Sequence, residues 1–158
     1  MDEILDEFLS HEALALGLDK GSTTLVPNPY SRGDLAMKFP MIQTDEQGET
    51  HFGVRDIPDR EVPFGPPPNP TGKMTDFGAV TTMFVFSVPA GTDVPAHNAP
   101  QPYIAICLSG EAEVVASDGE ARRLRAGEVL FCNDLTGKGH VTRAITNLVA
   151  AFINRPNS

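Results

Sequence analysis

The sequence predicts one all-β domain, a sandwich or barrel, with an N-terminal helical arm. From residue 77 onward apolar and polar residues alternate, as in strands with one buried face. Turn-forming Gly, Ser, Asp and Pro clusters cut that pattern into short runs, with no helical stretch between them, as in all-β architectures. Near the N-terminus, Ile4, Leu5, Phe8, Leu9, Ala13 and Leu16 instead fall on one face at helical spacing.

The helix spans 2–17. Asp2, Glu3, Asp6 and Glu7 suit its positive end, and Gly17 and Gly21 bracket its finish. It is too short to be stable alone and must lie on something. Residues 61–73, EVPFGPPPNPTGK, read as a stiff extended loop, because proline lacks the N–H that a strand ladder uses. The strands then run FGAVTTMFVFSV (77–88), PYIAICLSG (102–110), EAEVVAS (111–117), ARRLRAG (121–127), EVLFCN (128–133) and LVAAFI (148–153). The expected division is an arm over 1–76 joining a β core over 77–158, together one structural domain.

Composition narrows the function. The 158 residues suffice for one domain with a real core. A net charge of −9 argues against nucleic acid and anionic membrane surfaces. No apolar run approaches the ~20 residues of a membrane span. Residues 1–9, MDEILDEFL, lack the basic start of a signal peptide. Cys107 and Cys132 lie in apolar runs and read as buried thiols. A cytoplasmic location is expected.

The stretch GTDVPAHNAPQPYIAICLSG, residues 91–110, resembles the first motif of the cupin superfamily. Gly91 is followed by TDVPA and then His97. Ala99 stands where the second histidine would be, Tyr103 stands at the glutamate position, and Gly110 closes the motif. The second motif begins at Gly127 and ends at Gly137-Lys138-Gly139-His140, with Leu135 in place of its proline and Asn147 later than its asparagine. GEVLFCNDLTGKGH is similar to a subgroup of small bacterial single-domain cupins. The resemblance implies a double-stranded β-helix, or jelly roll, with the helical arm added. It also implies a divalent metal, Fe, Mn, Zn or Ni, held at the two retained imidazole positions, His97 and His140.

Several side chains could complete such a site. Strand alternation puts Tyr103 on one face with Ala105 and Cys107, and Ile104, Ile106 and Leu108 on the other. Gln101, through its amide oxygen, and Tyr103, as a phenolate, are candidate third ligands. His51 would serve only if the N-terminal region placed a strand in the barrel. Tyr103 and His140 are the candidate catalytic groups, and Gln101, Tyr103 and Cys107 the candidate substrate contacts. Asp134 could orient His140. Pro95, Pro100 and Pro102 limit the conformations around His97 and would hold its ring towards His140.

The expected function is a small-molecule enzyme with a histidine-held metal. It would act as an oxygenase, isomerase or lyase on a small apolar carbonyl or aromatic compound. Two alternatives stand beside it: a metal-free isomerase or cyclase using His and Tyr as acid and base, and a ligand-binding cupin without catalysis. The apolar Ile104/Ile106/Leu108 face and the amphipathic helix suggest a homodimer.

Overall fold

The computed structural model describes residues 36–157, and every regular element in them is a strand. The expected helix over 2–17 lies outside the described residues. In chain order the strands are β1 (Ala36–Thr44), β2 (Thr50–Pro63), β3 (Thr71–Thr75), β4 (Thr82–Val88), β5 (Asp93–His97) and β6 (Tyr103–Ser109). There follow β7 (Glu111–Ala116), β8 (Ala121–Arg125), β9 (Val129–Asn133), β10 (His140–Ala144) and β11 (Leu148–Asn154).

Eight of these strands make two four-stranded antiparallel layers, β4-β11-β6-β9 and β5-β10-β7-β8. The chain passes from one layer to the other after β4, β5, β6, β8, β9 and β10, which is the jelly-roll order. β1 adds to the first layer in parallel beside β9, with Met41 opposite Phe131. β2 and β3 extend it further, giving seven strands in the order β3-β2-β1-β9-β6-β11-β4.

Two expectations from the sequence are corrected here. Residues 36–63 form a long hairpin inside the sheet. Residues 61–73 are loop only in their centre: Glu61–Pro63 end β2 and Thr71–Lys73 begin β3. Proline is tolerated there because the segment from Asp59 to Pro63 pairs with β3 alone, leaving one side free of ladder bonds.

Alternation along β6 divides the core in two. Tyr103, Ala105 and Cys107 face the space between the layers, with Leu130, Cys132, Ala150, Val114 and Leu124. Ile104 and Ile106 face the other side of the seven-stranded sheet, packed with Phe39, Ile57, Val129, Phe131 and Phe77. Phe39, Phe77 and Phe131 meet at centroid distances of 5.0–5.7 Å, and the Arg55 and Arg155 guanidinium groups lie over Phe131. The Ile104 face is therefore covered within the chain, and Ile104 itself is fully buried. Only Leu108 of that row remains exposed, so this face does not supply the dimer surface expected from the sequence. No helix among the described residues is long and apolar enough to cross a membrane.

Candidate functional site

His97 ends β5 and His140 begins β10, and the two are direct cross-strand partners. Their ring centroids are 4.4 Å apart. Neither position falls within a strand expected from the sequence; each is the terminal residue of a five-residue strand. Their close approach depends on Gly139, whose φ is +70° and where a side-chain carbon would overlap the carbonyl of His97. A non-glycine residue there would suffer both a left-handed backbone and a steric clash. Gly137, at φ +82°, similarly lets the 136–138 turn approach the Gly48 carbonyl.

The two rings are fixed in different ways. His97 Nδ1 donates to the Pro95 carbonyl at 2.9 Å. A carbonyl only accepts, so Nδ1 carries the proton and a neutral His97 keeps its lone pair on Nε2. His140 Nδ1 donates to Asp134 Oδ2 at 2.6 Å, and both side chains are buried. The segment around Asp134 is held by the Asn98 side chain, which donates to the carbonyls of Asp134 and Thr136 at 3.2 and 2.7 Å.

In front of His97 lies a cleft of about 320 Å³ between the layers. Its walls are mainly apolar, from Phe86, Val88, Val94, Leu148 and Phe152, and its polar lining comes from His97, Tyr103, Thr92 and Thr142. Tyr103 packs against Phe152 at 5.4 Å. Burial, then the neighbouring Cys132 and Asp134, raises the Tyr103 phenol well above its ordinary range. It therefore stays protonated and can donate a hydrogen bond.

The remaining candidates do not line this cleft. His140 stands behind His97, 3% exposed. Cys107 shares the inward row of Tyr103 but is buried, and its thiol points to the Ser109 and Gly110 carbonyls at 3.5 and 3.4 Å. Burial pushes that thiol up and away from thiolate character. Cys132 is likewise buried and free. Gln101 sits half-buried on the loop between β5 and β6. His51 is on β2, away from the cleft, clamped between Asp118 (2.7 Å) and Asp45 (2.8 Å). The sequence reading did not foresee Thr92, Thr142, Phe86 or Phe152 as cleft residues; alternation along β4 and β11 was the available signal for the two aromatics.

The resemblance implies a metal, and the side chains present supply only part of its shell. Two imidazoles with engaged Nδ1 atoms are suitable donors. A catalytic metal generally takes three protein ligands. Among the described residues no group of three or more His, Cys, Asp or Glu is placed to hold an ion, and Tyr103 is held in its neutral form. Among the described residues, His97 and His140 supply two of the three protein ligands that such a metal generally takes.

No family model matches the chain, and no curated protein does. Among solved structures, it is similar to a conserved protein of unknown function from Streptococcus pyogenes. That match is 25% identical with a TM-score of 0.41, over 48% of this chain and 65% of the other. An RmlC-like cupin protein from Desulfovibrio desulfuricans is 25% identical with a TM-score of 0.37, over 46% of this chain and 69% of the other. A protein assigned to ethanolamine utilization (protein Q), from Salmonella typhimurium, is 13% identical with a TM-score of 0.30, over 78% of this chain and 98% of the other. The chain thus spans about two thirds of the length of the Streptococcus protein. Taken on its own strand order, with His97 and His140 paired across β5 and β10, the chain is a jelly roll.

Proposed function

We propose that this protein binds a small, mostly apolar carbonyl compound in the cleft and moves a proton on it, as an isomerase or cyclase would. The observation that carries this is that His97 and Tyr103 line one apolar cleft with opposite hydrogen-bonding roles. His97 offers a lone pair at Nε2, a base for a proton next to the carbonyl. Tyr103, protonated, donates to the carbonyl oxygen as negative charge develops there. The base receives the proton and the oxygen keeps the electron pair as an enol or enolate; return of the proton at a second carbon completes an isomerisation. His140 and Asp134 are positioning residues, since neither lines the cleft. A compound filling the cleft would displace water from these apolar walls and so strengthen both polar contacts.

The test is exchange of α-protons for deuterium in D₂O, followed by NMR across a panel of small cyclic and aromatic ketones. Catalysed exchange is expected with at least one compound. It should fall at least about a hundredfold in His97→Ala, within the range of general-base contributions, and less in Tyr103→Phe. Binding without exchange for every compound bound would make the protein a ligand-binding cupin instead. Loss of exchange on chelator treatment, with metal recovered in tag-free protein, would favour the metal reading.

A further inference from the structure

β5 departs from strict alternation where it carries His97. Val94 lines the cleft, so alternation would send Ala96 inward and His97 outward. The register shows what intervenes. Thr142 lies opposite Val94 and His140 opposite His97, so Pro95 and Ala96 on β5 face Val141 alone on β10. The extra residue makes a β-bulge, which re-aims the side chain that follows it. The Pro95 carbonyl within the bulge accepts from His97 Nδ1 at 2.9 Å. His97 thereby joins Val94 and Thr142 on one wall of the cleft. Thr142 stands two residues along β10 from the His97–His140 row, about 6–7 Å away at the usual strand rise.

The two threonines of the lining differ in what they have left to offer. Thr92 donates its hydroxyl proton to the Pro89 carbonyl at 2.7 Å. Thr142 Oγ1 makes no hydrogen bond to a described residue, and it is not sealed in the interior as the unpartnered Thr50 and Thr75 hydroxyls are. Its surroundings are apolar, with Val94 directly opposite and Phe86 and Leu148 in the same cleft. A compound filling this end takes the Thr142 hydroxyl out of water, which is costly unless the compound pairs with it.

We infer that the compound bound in the cleft carries a hydroxyl group about 6–7 Å beyond its reacting carbonyl, and that Thr142 selects it by hydrogen bonding. A hydroxyl uses both the donor and the acceptor of Thr142, whereas a second carbonyl uses only the donor. A methyl group at the same place strands the threonine hydroxyl against an apolar wall. A charged group is a poorer occupant, because no Lys, Arg, Asp or Glu among the described residues lines the cleft. The inference rests on the reading of the cleft as a site for a carbonyl compound, and it adds the far end of that compound.

Two acetophenones test it. The para-hydroxy compound carries its hydroxyl at about the required distance, and the para-methyl compound has a methyl group in its place. Both are titrated by NMR into the full-length wild type, Thr142→Ser and Thr142→Val. The wild type should bind the hydroxy compound at least about tenfold more tightly than the methyl compound. Thr142→Ser should keep that preference and Thr142→Val should lose it, which a merely structural role for Thr142 would not produce. Equal affinities in the wild type, a preference that survives in Thr142→Val, or binding of neither compound overturns the inference. Deuterium exchange at the acetyl methyl of the same compounds separates it from the proposed chemistry. A hydroxyl preference that depends on Thr142, without exchange, supports the selection and sinks the proton transfer. Exchange without a hydroxyl preference does the reverse.

Discussion

His140 and His51 each have a carboxylate six residues earlier in the chain, at Asp134 and Asp45, and each is held by carboxylate at 2.6–2.8 Å. They nevertheless have opposite uses. His51 is grasped at both ring nitrogens, by Asp118 at Nδ1 and Asp45 at Nε2. Both nitrogens must donate, so the ring is an imidazolium with no lone pair to offer. It is a strut at the surface, tying the β1–β2 loop to the β7–β8 turn, alongside the Thr50 amide donating to Ser117 Oγ at 2.7 Å and the Lys138–Glu49 ion pair. His140 has a single carboxylate partner, a buried ring, and a second imidazole at 4.4 Å. The count of carboxylates decides whether a histidine has both ring nitrogens engaged or keeps one free. Burial then decides how much the contact weighs.

Removing Asp134 should produce the largest effect. Asp134→Ala leaves the buried His140 Nδ1–H without its acceptor, and should lower unfolding free energy in urea by about 3 kcal/mol. Asp134→Asn keeps an acceptor and should lose less. Equal losses in the two variants would mean that packing, and not the hydrogen bond, carries the site. Gly139→Ala comes next. It should cost at least about 2 kcal/mol through the left-handed backbone and the clash with the His97 carbonyl, and the His97 and His140 ring resonances should both shift in NMR.

The surface clamp should give the smallest effect, and one with a definite pH sign. The Asp45 carboxylate first, then Asp118, raises the His51 pKa above its ordinary value. A raised folded pKa means that the clamp's stabilisation is complete below the unfolded value of about 6.5. It is lost as pH rises through the higher folded value. Thermal melts should therefore show a small fall in Tm above neutral pH that is absent in His51→Gln. The pairs are exposed and screened, so added salt should shrink this fall. A fall of the same size in His51→Gln would place its origin in another group.

The inward face of β6 is legible from sequence because Tyr103, Ala105 and Cys107 alternate cleanly with Ile104 and Ile106. β1 is not, and the cause is physical. It lies between β2 and β9 with both faces covered, Phe39 in one core and Ile42 in the other. A strand buried on both sides has no alternation to read, and AMKFPMIQT carries a proline besides. That hidden strand also accounts for the misplaced dimer surface, since Phe39 and Ile57 cover the face that alternation alone leaves bare. β5 and β10 are five residues each and too short for periodicity. Only the spacing of the two motifs points to His97 and His140, and nothing local shows that Asp134 turns inward while Asp45 turns out.

The parallel seam between β1 and β9 has a consequence for the order in which the molecule assembles. The β1–β2 hairpin is local and can close as soon as residue 63 is made, yet its partner strand begins only at Val129. Until then Phe39 and Ile42 have no apolar cover on the β9 side. Bringing Met41 to Phe131 demands a long loop closure before any contact rewards it. The growing chain thus carries a sticky ribbon from residue 63 until residue 129 is made, and completion of the sheet waits on the last third of the sequence.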